Sequence, residues 1–143
     1  ITDDFFETYA DEFPCNKESS RLALDRFLEY LKKANLPLIT IFEIQTLFYE
    51  LTTNISNHSG SDHNESIVFT ARIENNNIVM VFIDSGVAFN IVVKGQNYNP
   101  ETASKDRKKN GFGLIMIHKL ADKISYVREN DALNVTIIEK NWS

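Results

Sequence analysis

From Glu18 to Ala34 the apolar side chains Leu22, Leu24, Phe27, Leu28 and Leu31 return at helical spacing, with Ser19 and Ser20 placed to cap the start and Asn35 and Pro37 to end it. A second amphipathic helix is expected to begin near Leu38. Ile41, Ile44, Leu47, Phe48, Leu51 and Ile55 fall on one face, and the pattern runs out around His58, with Gly60 suited to a left-handed terminator. The period then changes from helical to alternating. Ile67, Phe69, Ala71 and Ile73 interleave with Val68, Thr70 and Arg72, which predicts a strand, and Asn75, Asn76 and Asn77 predict a turn. Ile78 to Ile83 is an uninterrupted apolar run rich in β-branched residues; it reads as a central strand buried on both faces, stopping at Asp84.

Between Asp84 and Gly111 no regular period appears. Gly86, Asn90, Gly95, Asn97, Asn99 and Pro100 punctuate the segment, and a connection of this length is usually a lid or binding loop. Phe112 to Asp122 predicts a third helix through Leu114, Ile115, Ile117, His118 and Leu120. Ser125 to Arg128 and Leu133 to Ile138 predict a closing hairpin around Glu129, Asn130 and Asp131. Strands and helices therefore segregate. The expected class is α+β: a two-layer α/β sandwich with a mixed, mainly antiparallel sheet and helices on one face.

A chain of 143 residues with 43% hydrophobic content is the size of one domain and should bury about two thirds of its unfolded surface. We expect a single domain over residues 1–143, and the absence of an initiator Met has two readings, a trimmed chain or a domain cut from a longer protein. The single Cys15 excludes an internal disulfide framework and a Cys-based zinc site of its own, which points to a reducing compartment. The apolar run Ile78 to Ile83 is too short to cross a bilayer and Ile1, Thr2, Asp3 and Asp4 are not a cationic signal start, so a soluble, cytoplasmic protein with no membrane partner is expected. With 15 basic and 20 acidic side chains the net charge is -5, and the chain lacks the basic footprint of a nucleic-acid binder. Its one basic cluster is Lys105, Arg107, Lys108 and Lys109, within the unpatterned segment.

Three short patterns carry chemistry. Glu50 and Asn54, four apart on the second helix, can address one ligand: Asn54 with a neutral oxygen suited to Mg²⁺, Glu50 as a proton acceptor. Asp84, at the end of a strand, can accept from a donor such as an exocyclic amine, and Gly86 lets a ring approach the backbone. Gly111 and Gly113 before a helix leave backbone N–H groups open to phosphate oxygens at the positive end of the helix dipole. Each alone has an ordinary reading, respectively a solvated helix pair, a strand-ending turn and a helix start. Their ordered coincidence is a chance event on the order of one in ten thousand. Neither a Walker loop nor a Gly-x-Gly-x-x-Gly pattern occurs.

Together, Glu50-x3-Asn54-x3-His58, Asp84-x-Gly86-x2-Phe89 and Gly111-x-Gly113-Leu114 resemble the N, G1 and G2 boxes of the GHKL superfamily, the Bergerat ATP-binding fold shared by gyrase, MutL and histidine kinases. The run from Gly113 to Ile124, with the hairpin that ends at Lys140, is similar to the bacterial anti-sigma-factor serine/threonine kinases, and the resemblance spans Arg21 to Lys140. It implies ATP and Mg²⁺ as cofactors, Glu50 as catalytic base, Asn54 as the Mg²⁺ ligand, and Asp84 as acceptor for the adenine amino group with Gly86 and Phe89 beside it. Gly111, Phe112, Gly113 and Leu114 would run along the phosphates, Thr136 would meet adenine through water, and the segment from about Val92 to Asn110 would be the ATP lid. One lid cation would meet the γ-phosphate; a solvated basic loop is the other reading of that cluster. His58 matches a His of the family pattern, but we read it as a cation at a helix C-terminus. Asn110 stands where the family often has a further glycine, which bears on the lid hinge.

The implied function is an ATP- and Mg²⁺-dependent serine/threonine protein kinase that acts as an anti-sigma factor. It would phosphorylate an anti-sigma-factor antagonist of the STAS type and sequester a sigma factor; homodimerisation is implied by the resemblance alone. Two other readings stay open. One is the catalytic ATP-binding domain of a histidine kinase, for which this chain offers no His before His58 as phosphoacceptor. The other is a nucleotide-dependent binding module without phosphotransfer, against which the presence of Glu50 counts.

Overall fold

The computed structural model describes residues 7–58, 65–96 and 111–143. Five strands form one sheet in the order β1-β2-β3-β5-β4. They are β1 (Tyr9–Pro14), β2 (Ser66–Glu74), β3 (Asn77–Asp84), β4 (Lys123–Glu129) and β5 (Leu133–Asn141). Every pair is antiparallel. The helices are α1 (Lys17–Lys33), α2 (Leu38–His58), α3 (Ile91–Gln96) and α4 (Gly111–Leu120). Gly60 and the lid residues beyond Gln96, including Lys105, Arg107, Lys108, Lys109 and Asn110, lie outside the described residues.

The β2–β3 hairpin pairs Glu74 with Asn77, leaving a two-residue loop. Asn75 and Asn76 both take positive φ, 52° and 59°, the combination a type I′ turn requires and asparagine tolerates. Alternate residues of β2, β3 and β5 then fall on one buried face: Ile67, Phe69, Ala71 and Ile73; Ile78, Met80, Phe82 and Asp84; Asn134, Thr136 and Ile138. Helix α2 lays Ile44, Leu47, Phe48, Leu51 and Ile55 on that face. The centre is aromatic. Phe69 meets Phe27 at 4.8 Å and Phe48 at 5.0 Å, both edge-on, and Phe82 at 4.8 Å, a geometry that aligns ring edges with ring faces.

Several expectations are corrected by this packing. Strand β3 is central in the sheet, but Val79, Val81 and Ile83 are only partly buried, so it is covered on one face rather than two. Leu22 is 46% exposed and not on the core stripe of α1, whose buried side is Ala23, Leu24, Phe27, Tyr30 and Leu31. The cap of α1 is Asn16, whose side chain accepts from the Ser19 N–H at 2.8 Å, in place of Ser19 or Ser20. Strand β1 was not anticipated: it is a short edge strand ending in Pro14, with only Phe13 fully buried, too brief for a clear alternation. Nor was α3, a six-residue helix at the start of the expected lid.

Two ties join helices to strands. Arg26 of α1 grips Asp11 of β1 through Nε at 2.9 Å and Nη2 at 2.8 Å. Lys140 of β5 donates to the Leu120 carbonyl at the end of α4, 2.7 Å, and pairs with Glu43 of α2 at 3.3 Å. The ammonium thus sits at the negative end of α4, where a cation is favoured, and sets that helix beside α2.

Candidate functional site

Where α2, the end of β3 and the middle of β5 converge, their side chains enclose a cavity of about 20 Å³, room for about one water. Asn54 comes from α2, Asp84 from β3, Thr136 from β5 and Phe89 from the segment after β3. These are four of the residues singled out in the sequence, drawn together from three elements and one connecting segment. Asn54, Asp84 and Thr136 are 4%, 5% and 4% exposed. Buried polar groups at such positions are normally paired. Among the described residues, the Asn54 Oδ1 has no hydrogen-bond partner.

Asp84 is held by its own turn and by β5. Its Oδ1 accepts from the Gly86 N–H at 3.0 Å and from Asn134 Nδ2 at 3.0 Å. Burial pushes its carboxyl above the usual carboxylate range, a rise that Asn134, the Gly86 N–H and the Arg128 guanidinium only partly offset. Gly86 is buried beside it, and its carbonyl accepts from Arg128 Nη1 at 2.8 Å.

Glu50 does not line this cavity. One turn back along α2, it faces Gly113 in the first turn of α4, where a β-carbon on Gly113 would stand 2.7 Å from the Glu50 Oε1. Partial burial raises its pKa. The expected glycine loop is already helical at Gly111, so Gly113 sits inside α4, not before it. Leu114 is 4% exposed and belongs to the core. Gly111 starts the helix, and Phe112 follows within it.

His58 stands in the last turn of α2, where a helix-terminal cation was expected, and it also lines the cavity, its ring stacked on Phe89 at 4.1 Å and 18°. Asn134, Arg128 and Tyr126 went unnoticed in the sequence. An isolated Asn, Arg or Tyr in a strand carries no spacing signal, and their connection to Asp84 exists only in the register of the sheet. A wider concavity of about 650 Å³ lies on the other flank of α2, where Ser20, Arg21 and Leu24 of α1 face Phe48, Tyr49 and Thr52. None of the expected site residues lines it.

No group of three or more His, Cys, Asp or Glu able to hold a metal occurs among the described residues. A cation here would therefore rest on neutral oxygens and on what the ligand brings. The unpartnered Asn54 Oδ1 fits that demand, since Mg²⁺ takes few protein ligands and completes its shell with phosphate and water. No helix among the described residues is long and apolar enough to cross a membrane.

Solved structures share this fold, among them these three. The RsbU and RsbW domains of Rv1364c from Mycobacterium tuberculosis match with TM-score 0.68 at 14% identity, over 95% of this chain and 32% of that one, so the chain spans about a third of that protein's length. A chain of the SiaB–SiaC complex from Pseudomonas aeruginosa matches with TM-score 0.59 at 13% identity, over 96% of this chain and 90% of that one. The catalytic domain of the histidine kinase ThkA matches with TM-score 0.54 at 17% identity, over 93% and 97%. No curated protein gives a significant match. The sequence model of the histidine kinase-like ATPase domain matches residues 13–140, from Phe13 near the end of β1 to Lys140 near the end of β5, and the chain belongs to that family.

Proposed function

We propose that this protein binds ATP with Mg²⁺ and transfers the γ-phosphoryl group to a serine or threonine of a partner protein, acting as an anti-sigma factor. The observation that carries the nucleotide reading is the meeting of Asn54, Asp84 and Thr136 in one buried cavity, with an unpartnered amide oxygen at one side and a carboxylate at the other. In this reading Asp84 accepts from the adenine amino group, Thr136 lies beside the ring, and Gly111, Phe112, Gly113 and Leu114 follow the phosphates into α4. Asn54 would hold Mg²⁺, which supplies charge neutralisation on the phosphate oxygens when bound. Entry of a purine requires the stacked rings of His58 and Phe89 to part, because the cavity is smaller than a base.

Glu50 takes the proton of the attacking hydroxyl as its oxygen bonds to the γ-phosphorus and the bond to the bridging oxygen of ADP breaks. A partly buried carboxylate with a raised pKa suits that role, since a base poised nearer neutral pH holds the proton better through transfer. The antagonist protein and the sigma factor come from the sequence resemblance to the anti-sigma-factor kinases, and a protein partner more generally is supported by the likeness to the SiaB–SiaC complex. The likeness to ThkA supports the histidine-kinase alternative, in which the acceptor is a histidine supplied by another domain or chain.

Calorimetric titration of ATP with and without Mg²⁺, on the protein and on Asp84→Asn, tests the site. Magnesium-dependent binding that the substitution weakens by about tenfold or more (~1.4 kcal/mol) is expected; no binding to the unsubstituted protein refutes the reading. Phosphoryl transfer to an antagonist protein should then vanish in Glu50→Ala while ATP still binds. Equal loss of both would remove Glu50 from its role.

A further inference from the structure

Asp84, Asn134 and Arg128 stand in one row across three neighbouring strands. Asn134 of β5 is the register partner of Asp84 on β3 and of Arg128 on β4. Directly opposed residues of antiparallel strands share a face at contact distance, so the row is a consequence of register. Asn134 is 4% exposed, and both ends of its amide are engaged. Its Oδ1 accepts from the Tyr126 hydroxyl, from Arg128 Nη1 at 3.2 Å and from the Phe89 N–H at 3.4 Å. A guanidinium and a backbone N–H can only donate. The amide oxygen must therefore face them, which turns the NH₂ towards Asp84 Oδ1 at 3.0 Å and the Val87 carbonyl at 3.0 Å.

The consequence falls on the carboxylate. Asp84 Oδ1 takes two donors, Asn134 and the Gly86 N–H, whereas no described residue donates to Oδ2. We propose that Asn134 is a positioning residue that makes this site selective for a purine with a 6-amino group. By engaging one oxygen of Asp84 it presents the other to the cavity as an acceptor. The inference rests on the nucleotide reading above and goes beyond it by naming what sets base preference. A 6-oxo purine would bring an acceptor against an acceptor in a buried site, where an unmatched polar group is costly. The other ionisable side chain lining the cavity is His58 of α2, while Arg128 and Tyr126 of β4 stand behind Asn134.

The test titrates ATP, GTP and purine riboside 5′-triphosphate, each with Mg²⁺, against the full chain, Asn134→Ala and Asn134→Asp, from about pH 5 to 8. The parent should prefer ATP over both others. Asn134→Ala should lose about tenfold in ATP affinity and little for purine riboside triphosphate, which lacks the amino group. Asn134→Asp, close to isosteric and a safeguard if the alanine variant does not fold, sets a second carboxylate against Asp84; ATP binding should then fail at a higher pH than in the parent. Equal loss for all three nucleotides, or an unmoved pH profile in Asn134→Asp, overturns the proposal while ATP binding by the parent stands. Absence of ATP binding by the parent overturns the nucleotide reading and this inference together.

Discussion

The Glu50 Oε1 occupies space that any side chain on Gly113 would need, 2.7 Å from where a β-carbon would begin. Gly113 lies in the first turn of α4, and no left-handed backbone accounts for the glycine. What it permits is the approach of a carboxylate. Gly113→Ala should raise or leave unchanged the stability of the protein, because alanine is favoured over glycine in a helix by up to about 1 kcal/mol and the end of Glu50 can swing aside. Phosphoryl transfer should nevertheless drop by about tenfold to a hundredfold, the effect of displacing a reacting group by about an ångström. Thermal melts and single-turnover transfer measure the two effects, and a variant with unaltered transfer would show that the position of Glu50 is not used.

Asp84 links function to a pH-dependent stability. Because burial raises its pKa, the folded protein keeps this proton to higher pH than the unfolded chain. In the window between the ordinary carboxylate value and the raised one the folded state binds more protons, so stability falls as pH rises through it. Asp84→Asn keeps the acceptor for Gly86 and Asn134 without the buried charge. We expect it to melt at a higher temperature than the parent at neutral pH, with the difference closing below the ordinary carboxylate range. ATP binding has the opposite dependence in the parent and should weaken as pH falls through the raised value. A melting difference that does not change with pH would contradict this account.

Asn54 predicts a separation of a different kind. Its Oδ1 is buried without a partner among the described residues, so removing it relieves a desolvated acceptor. Asn54→Ala should change the stability of the nucleotide-free protein by no more than about 1 kcal/mol. The gain in ATP affinity on adding Mg²⁺ should disappear. Titrations with and without the metal would decide it, and a retained magnesium effect would move the metal ligand elsewhere.

The core should respond to truncation as a single aromatic cluster. Phe69 is fully buried against Phe27, Phe48 and Phe82, and Phe69→Ala should lower stability by about 3–5 kcal/mol in denaturant unfolding. A loss below about 1 kcal/mol would mean that the neighbouring rings collapse into the space.

Local periodicity by itself determined much of this protein. The 3.6-residue pattern of α2 set Glu50 and Asn54 one turn apart, and an uninterrupted apolar run that ends at Asp84 set that carboxylate at the tip of a strand. The adjacent asparagines made the β2–β3 turn, because few other residues accept positive φ twice in succession. Each is a matter of neighbours in the chain, and neighbours are what a sequence displays. Tertiary structure decided the rest. Asn134 reaches Asp84 across 50 positions of sequence, through a register that no local pattern encodes. The apolar run of β3 could not say that one of its faces would lack a covering layer, since β-branched residues favour a half-buried pleated face as readily as a buried one. Glu50 and Asn54, adjacent on their helix, were parted by what α2 packs against: α4 closes on one and the end of β3 on the other.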